Sequence, residues 1–252
     1  MTDLAVGTRT VLVTGGAHGI GAAIVRRFAT AGHQVLIADT DAVAGAELAE
    51  ATGARFHQAD VSGFADNEAV VADAVAHFGG LDVVCLNAGV PGGAGIGEDF
   101  DSDRYRRGIQ VNLDGVVYGA NAALPALRGG GGAIVVTSSL AGVAPSADLY
   151  YSAAKHALIG FVRSLALLVA GDGITVNAIC PGFIDTRMVA AYRDALVGHG
   201  LAVGQPDHVA EAVSSILAGG GNGQAWQVQG GRPPTAISFP DITLSRRAVE
   251  RP

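Results

Sequence analysis

The chain has 252 residues, 49% hydrophobic and only 15% charged, enough apolar material for the core of one α/β domain. Sixteen lysines and arginines stand against 23 aspartates and glutamates, a net charge of −7 with no long basic run, which excludes nucleic acid and anionic membranes as bulk partners. The 37 glycines follow no three-residue period, which excludes a collagen-like chain.

In chain order, short apolar runs alternate with longer helical patterns. The predicted strands are 10–14, 34–39, 54–58, 81–87, 133–138, 174–179 and 225–229, and their hydrophobicity is continuous rather than alternating. Helical patterns begin near Gly21, Asp41, Asp66, Asp99, Leu149 and Asp207. Parallel strands need such crossovers, and right-handed crossovers lay helices on both faces. The expected fold is a doubly wound, Rossmann-type parallel α/β sheet of about seven strands in a single domain, 1–231. Residues 182–206 form a long loop at the carboxyl edge, where such sheets bind ligands. Residues 232–252 form a tail, either disordered or packed on a neighbouring subunit.

Cys85 and Cys180 lie in apolar runs and read as reduced core thiols. With no HExxH or CxxC spacing, no metal site is expected. The N-terminus lacks the order of a signal peptide, and no run approaches the roughly 20 uninterrupted apolar residues of a membrane span. A cytoplasmic location and no membrane partner are expected.

The first strand runs into "TGGAHGIG" (14–21) and then a helix. Gly15, Gly19 and Gly21 permit a tight turn, and the helix opening at His18, Gly19 and Ile20 points N–H groups and a positive dipole end at a pyrophosphate. The spacing is GxxxGxG rather than the commoner GxGxxG. Asp39 ends the second strand, where a carboxylate accepts ribose hydroxyls and repels a 2′-phosphate, so NAD is expected over NADP. Asp41 is the alternative acidic residue there, as a helix cap. His18, if protonated, softens the preference.

In "YYSAAK" (150–155), Tyr151 and Lys155 are four apart and share a helix face, whereas Tyr150 has Ala154 at that offset. A phenol of pKa about 10 is a poor base at neutral pH, and a nearby ammonium and an oxidised nicotinamide would lower it. That makes Tyr151 the candidate general acid/base and Lys155 its partner.

Together these motifs resemble the short-chain dehydrogenase/reductase family over residues 9–231, with local likeness to NAD-dependent prostaglandin and related hydroxyl dehydrogenases. The resemblance implies that Asp60 and Val61 meet adenine and that Asn87, Ala88 and Gly89 shape the floor of the adenosine site. It places Asn112 of "VNLDG" in a proton exit from Lys155, and Ser139 of "TSSLAG" on the substrate oxygen. Pro181, Gly182, Ile184 and Thr186 of "NAICPGFIDT" would line the nicotinamide side, and Tyr151 and Lys155 would also hold cofactor. Ser139 lies twelve residues before Tyr151, where the family more often has thirteen; Ser138 restores the count but breaks the motif.

Phe183, Met188, Val189 and Tyr192 in the loop suggest a mainly apolar secondary alcohol or ketone. Arg187, Arg193 and His199 could take a carboxylate, although solvated charges are the plainer reading. The resemblance also implies a homodimer or homotetramer pairing through helices at 99–127 and 149–170. The second has more apolar residues (Leu158, Phe161, Leu165, Leu168) than one buried stripe needs. The alternatives are an NADP-dependent ketone reductase, an inactive dinucleotide-binding sensor or scaffold, and a dehydratase or epimerase on the same fold.

Overall fold

The computed structural model describes residues 7–93 and 95–240. Its eight-stranded sheet has the order β3-β2-β1-β4-β5-β6-β7-β8. The strands are β1 (Thr10–Thr14), β2 (Gln34–Asp39), β3 (Arg55–Gln58), β4 (Val83–Leu86), β5 (Gly132–Thr137), β6 (Ile174–Pro181), β7 (Ala225–Val228) and β8 (Thr235–Ala236). All neighbours from β3 through β7 are parallel; β8 is antiparallel to β7. The expectation of about seven strands is met by β1–β7, and the eighth comes from the segment read as a tail. Beyond β8, Phe239 packs against the core and Arg163 stacks over its ring, 4.3 Å from the centroid. Residues 241–252 lie outside the described residues.

The helices are α1 (Gly19–Thr30), α2 (Ala42–Thr52), α3 (Phe64–Phe78), α4 (Ser102–Ile109), α5 (Gly115–Leu127), α6 (Leu149–Val169), α7 (Arg187–Ala190), α8 (Arg193–Gly198) and α9 (Pro206–Gly219). They cover both faces of the sheet, which explains the continuous hydrophobicity of the strands. On β1, Val11 and Val13 face a cluster with Ile24, Phe28, Val209 and Val213 of α1 and α9. Leu12 faces the other way, among Val70, Val116, Leu158 and Val162 of α3, α5 and α6.

Two departures from the sequence reading concern function. The helical pattern from Asp99 is not one helix: a 3₁₀ turn at Gly97–Asp99 precedes α4, and a π-turn at Gln110–Asp114 separates α4 from α5. Residues 182–206 are not all loop, since they contain α7 and α8. Their base is closed by Gly204 N–H on Phe183 O and Asp185 N–H on Gly204 O, each 2.8 Å. The span Leu149–Asp172 is long and apolar enough to cross a membrane, with mean hydropathy 1.5, but one face of it is buried against β6 and the core. It is a core helix of this fold.

Candidate active site

The strand order reverses between β1 and β4, and the carboxyl ends of the strands open there into a cleft of about 330 Å³. Its lining runs from Ala38, Asp39, Ala59, Asp60 and Val61 at one end, past Gly15, His18, Gly19, Ile20 and Asn87, Ala88, Gly89, to Ser139, Tyr151, Lys155, Pro181, Gly182, Ile184 and Thr186. Among the expected catalytic and cofactor-binding residues, Gly21 and Asn112 do not line it. Both support it from behind.

The glycine turn is built for close approach. Gly15 and Gly19 have φ of +60° and +49°, the left-handed region that favours glycine. A Cβ on Gly21 would stand 2.0 Å from Gly15 O, and one on Gly19 would stand 2.9 Å from Thr186 Cγ2. Only hydrogens fit, so backbone N–H groups at the start of α1 face the cleft unobstructed. These residues fit a dinucleotide pyrophosphate. Asn87 braces the turn across the switch point: its Nδ2 donates to Thr14 O and Gly15 O, and its Oδ1 accepts from Thr137 Oγ1.

At the adenosine end, the Asp39 carboxylate accepts from Ala17 N–H and Asp41 N–H, both at 3.0 Å, which fixes it at the head of the glycine turn. Asp41 caps α2 through Ala44 N–H. Its other oxygen lies 2.7 Å from His18 Nε2, and that hydrogen bond, with the α2 cap, holds its carboxyl below the usual range. Arg187 approaches the same His18 nitrogen at 2.9 Å. One nitrogen cannot both donate to Asp41 and accept from Arg187, and the shorter contact to an anion makes Asp41 its partner. Asp60 is held by Ser62 and by Arg107, whose Nη1 is 3.0 Å away; burial opposes ionisation, but these bonds keep its carboxyl below the ordinary value. Arg107 also lines the cleft and carried no signal in the sequence beyond its position five residues before Asn112.

At the other end, Lys155 is 2% exposed. Its Nζ donates to Thr137 O at 2.7 Å and lies 5.4 Å from the Tyr151 ring centroid. Burial pushes Lys155 down to about 8 and the Tyr151 phenol up to about 12. The neighbouring Ser139 hydroxyl, whose Oγ accepts from Ala141 N–H at 3.1 Å, works in the opposite direction on Tyr151. In the protein without cofactor, burial therefore holds the phenol high; the lowering expected from the ammonium and an oxidised nicotinamide together concerns the occupied site. Ser138 is turned away and buried, donating to Lys155 O at 2.9 Å. The twelve-residue spacing therefore leaves Ser139 beside the phenol.

Asn112 sits in the π-turn, fully buried, with Oδ1 accepting from Val90 N–H at 3.0 Å and Nδ2 donating to Val90 O at 2.8 Å. A polar residue on a helix surface is thereby excluded. Thr186 donates to Ile184 O and packs on Gly19, closing the cleft from the α7 side. Met188 and Val189 line the cleft, whereas Phe183 and Tyr192 are exposed and do not. Of the apolar residues noted on α6, Leu158 is buried and Phe161 and Leu165 pack on the core. Leu168 and its neighbour Leu167 are the outward ones, 79% and 82% exposed.

A short chain dehydrogenase family model matches residues 9–196. The chain is 36% identical to 3beta-hydroxysteroid dehydrogenase 2 of Eggerthella lenta, over 88% of this chain and 94% of that protein. It is 39% identical to D-beta-hydroxybutyrate dehydrogenase of Cupriavidus necator, over 74% and 75%. Among solved structures, it is similar to 3-ketoacyl-(acyl-carrier-protein) reductase from Brucella melitensis complexed with NADH, with TM-score 0.81, 28% identity, and 89% and 98% of the two chains covered. An actinorhodin polyketide ketoreductase variant with NADPH gives TM-score 0.81 at 32% identity, covering 89% and 97%. The chain belongs to the short-chain dehydrogenase/reductase family, whose nucleotide-binding fold it has, and is an oxidoreductase acting on hydroxyl groups.

Proposed function

We propose that this protein transfers hydride between NAD and a secondary alcohol on a mainly apolar skeleton, with Tyr151 as the general acid/base. The observation that carries this reading is the meeting of Ser139, Tyr151 and Lys155 at one end of a cleft whose other end is a glycine turn and a fixed carboxylate. The turn and α1 would hold the pyrophosphate, Asp39 the ribose, Asp60 and Val61 the adenine, and the segment from Pro181 to Thr186 the nicotinamide side. When bound, the nicotinamide supplies the hydride acceptor and, oxidised, a positive charge.

Tyr151 Oη would take the hydroxyl proton of the alcohol as it oxidises, or return it to a ketone. Ser139 Oγ would donate to the substrate oxygen where charge develops. Lys155, held by Thr137, would place its ammonium near the phenolate and relay the proton outward past the Asn112 turn. The high phenol in the protein alone means that phenolate forms only as positive charge gathers around it, which ties proton removal to cofactor occupancy.

NAD is favoured because Asp39 and Asp41 both present carboxylates at the ribose end, where a 2′-phosphate would meet two negative charges. The second reading, NADP, rests on His18 and Arg187 beside them. Fluorescence titration with NADH and NADPH decides: tighter NADH binding supports the first, and tighter NADPH binding makes Asp39 misassigned and the protein a ketone reductase. Pairing of two copies across α6 would cover Leu167 and Leu168, and a monomeric sedimentation profile would contradict that assembly.

A further inference from the structure

Two tyrosines stand side by side at the start of α6, and only Tyr151 lines the cleft. Tyr150 is engaged elsewhere: its hydroxyl donates to Gly95 O at 2.8 Å. Its ring packs edge-on against Tyr105 of α4, 5.0 Å between centroids, and against Phe100, 5.7 Å. Phe100 and Tyr105 are in turn 5.8 Å apart, so the three rings close on one another.

The acid–base group sits where α6 is least anchored. Tyr151 is the third residue of the helix, and the N–H groups of a first turn have no partner within the helix. From Ala154 and Lys155 onward α6 buries one face in the core, whereas Leu149 is 45% exposed and Tyr150 and Ser152 are half-buried. A half-exposed first turn is where a helix opens most readily. The segment after β4 supplies what the turn lacks. Gly93 O accepts from Tyr150 N–H at 3.3 Å, and Gly92 N–H donates to the Asp148 carboxylate that caps Tyr151 N–H. The two backbones touch: a Cβ on Gly92 would stand 2.3 Å from Tyr151 N. Ser152, two residues beyond Tyr150 and so on another face of the helix, donates to Ala141 O at 2.8 Å. That bond ties the same turn to the segment that carries Ser139.

We propose that Tyr150 is a positioning residue for this reaction: its hydroxyl and ring fasten the first turn of α6 to Gly95 and α4, and so hold the Tyr151 phenol in register with Ser139 and Lys155. The inference rests on the reading of Tyr151 as the general acid/base. Lys155 needs no such support, because it lies one turn deeper, buried, with its ammonium on Thr137 O. The phenol has only the first turn to hold it, and a misplacement of about 1 Å at a reacting group costs up to about a hundredfold in rate. Tyr150 thus acts through Tyr151 without touching substrate or cofactor.

The test compares Tyr150→Phe, which keeps the three rings and loses the bond to Gly95 O, with Tyr150→Leu, which loses both. The ratio kcat/KM for a neutral secondary alcohol at saturating NAD is followed against pH, with NADH affinity and thermal unfolding measured on each protein. The expected result is a fall of about threefold in Tyr150→Phe and of about tenfold or more in Tyr150→Leu, with NADH affinity within about twofold of wild type. The rise of kcat/KM with pH moves to higher pH in both, further in Tyr150→Leu, because a displaced phenol gains less from the Lys155 ammonium. A role confined to stability would lower Tm and leave that rise where it is. Unchanged kcat/KM in folded Tyr150→Leu, or a loss without movement of the pH profile, overturns the proposal; if Tyr150→Leu does not fold, Tyr150→Phe decides by the same criteria. Full activity in Tyr151→Phe, or no turnover of any neutral secondary alcohol by the wild type, overturns the acid–base reading and this inference with it.

Discussion

Lys155→Met separates what the buried amine does for catalysis from what it costs the fold. Taking the 5.4 Å from the ammonium to the Tyr151 ring centre as the scale of the separation, Coulomb's law at an effective dielectric of about 20 gives about 3 kcal/mol for the attraction to a phenolate, about a hundredfold in phenolate population. Methionine fills similar space without charge, so kcat/KM at pH 7 should fall at least about 100-fold, and its rise with pH should move to higher pH. Stability responds differently. The fall of Lys155 from 10.5 to about 8 means that keeping it charged costs the folded state about 3 kcal/mol. Losing its bond to Thr137 O costs about 1–3 kcal/mol, so the variant should be as stable at pH 7 or up to about 2 kcal/mol more stable. Between pH 8 and 10.5 the unfolded chain binds the Lys155 proton and the folded chain does not, so wild-type stability rises with pH relative to the variant. Taking that difference cancels Cys85, whose thiol burial pushes up to about 12 in both proteins. Urea titrations at pH 7 and 9.5, with kcat/KM at each pH, make the measurement. A loss of activity below tenfold, or a destabilisation above about 3 kcal/mol, would refute the reasoning.

Ser139→Ala should cost about 10²–10³ in kcat at little cost in stability, whereas Ser138→Ala should leave chemistry nearly intact and cost about 1 kcal/mol through its bond to Lys155 O; steady-state rates and urea midpoints separate the two. Asn112→Ala strips both bonds from half-buried Val90 and should destabilise by about 1–3 kcal/mol, read from the same denaturation curves. His33 is buried with Nε2 unpartnered, and burial, then Arg9, holds its pKa below 6.5 against the pull of Asp82. The unfolded chain therefore protonates first as pH falls through 6.5, and Tm should drop from pH 7.5 to 5.5, with His33→Gln flattening the decline.

The sheet was legible because burial on both faces writes itself as unbroken apolar runs: 34–39 and Gln34–Asp39 coincide. The glycine turn was legible for a similar reason, since a Cβ at Gly15, Gly19 or Gly21 would collide with its neighbours. Asn112 was legible as a residue but not as a conformation, because the π-turn is fixed by Val90, 22 residues away. Strand β8 was missed because two exposed residues following two prolines carry no periodicity. Arg107 was missed because its partner, Asp60, is 47 residues distant and no local pattern connects them. That burial holds the Tyr151 phenol high before any cofactor binds was not legible, because spacing reports proximity, whereas the pKa also depends on how far water is excluded.

The most direct test is NADH formation from NAD and a panel of neutral secondary alcohols by the wild type and Tyr151→Phe, with NADH affinity measured on both. The account predicts turnover by the wild type, a loss of about 10²–10⁴ in the variant, and NADH binding changed no more than a few fold. Turnover that survives the substitution would contradict it, because Tyr151 could then not be the group that moves the proton.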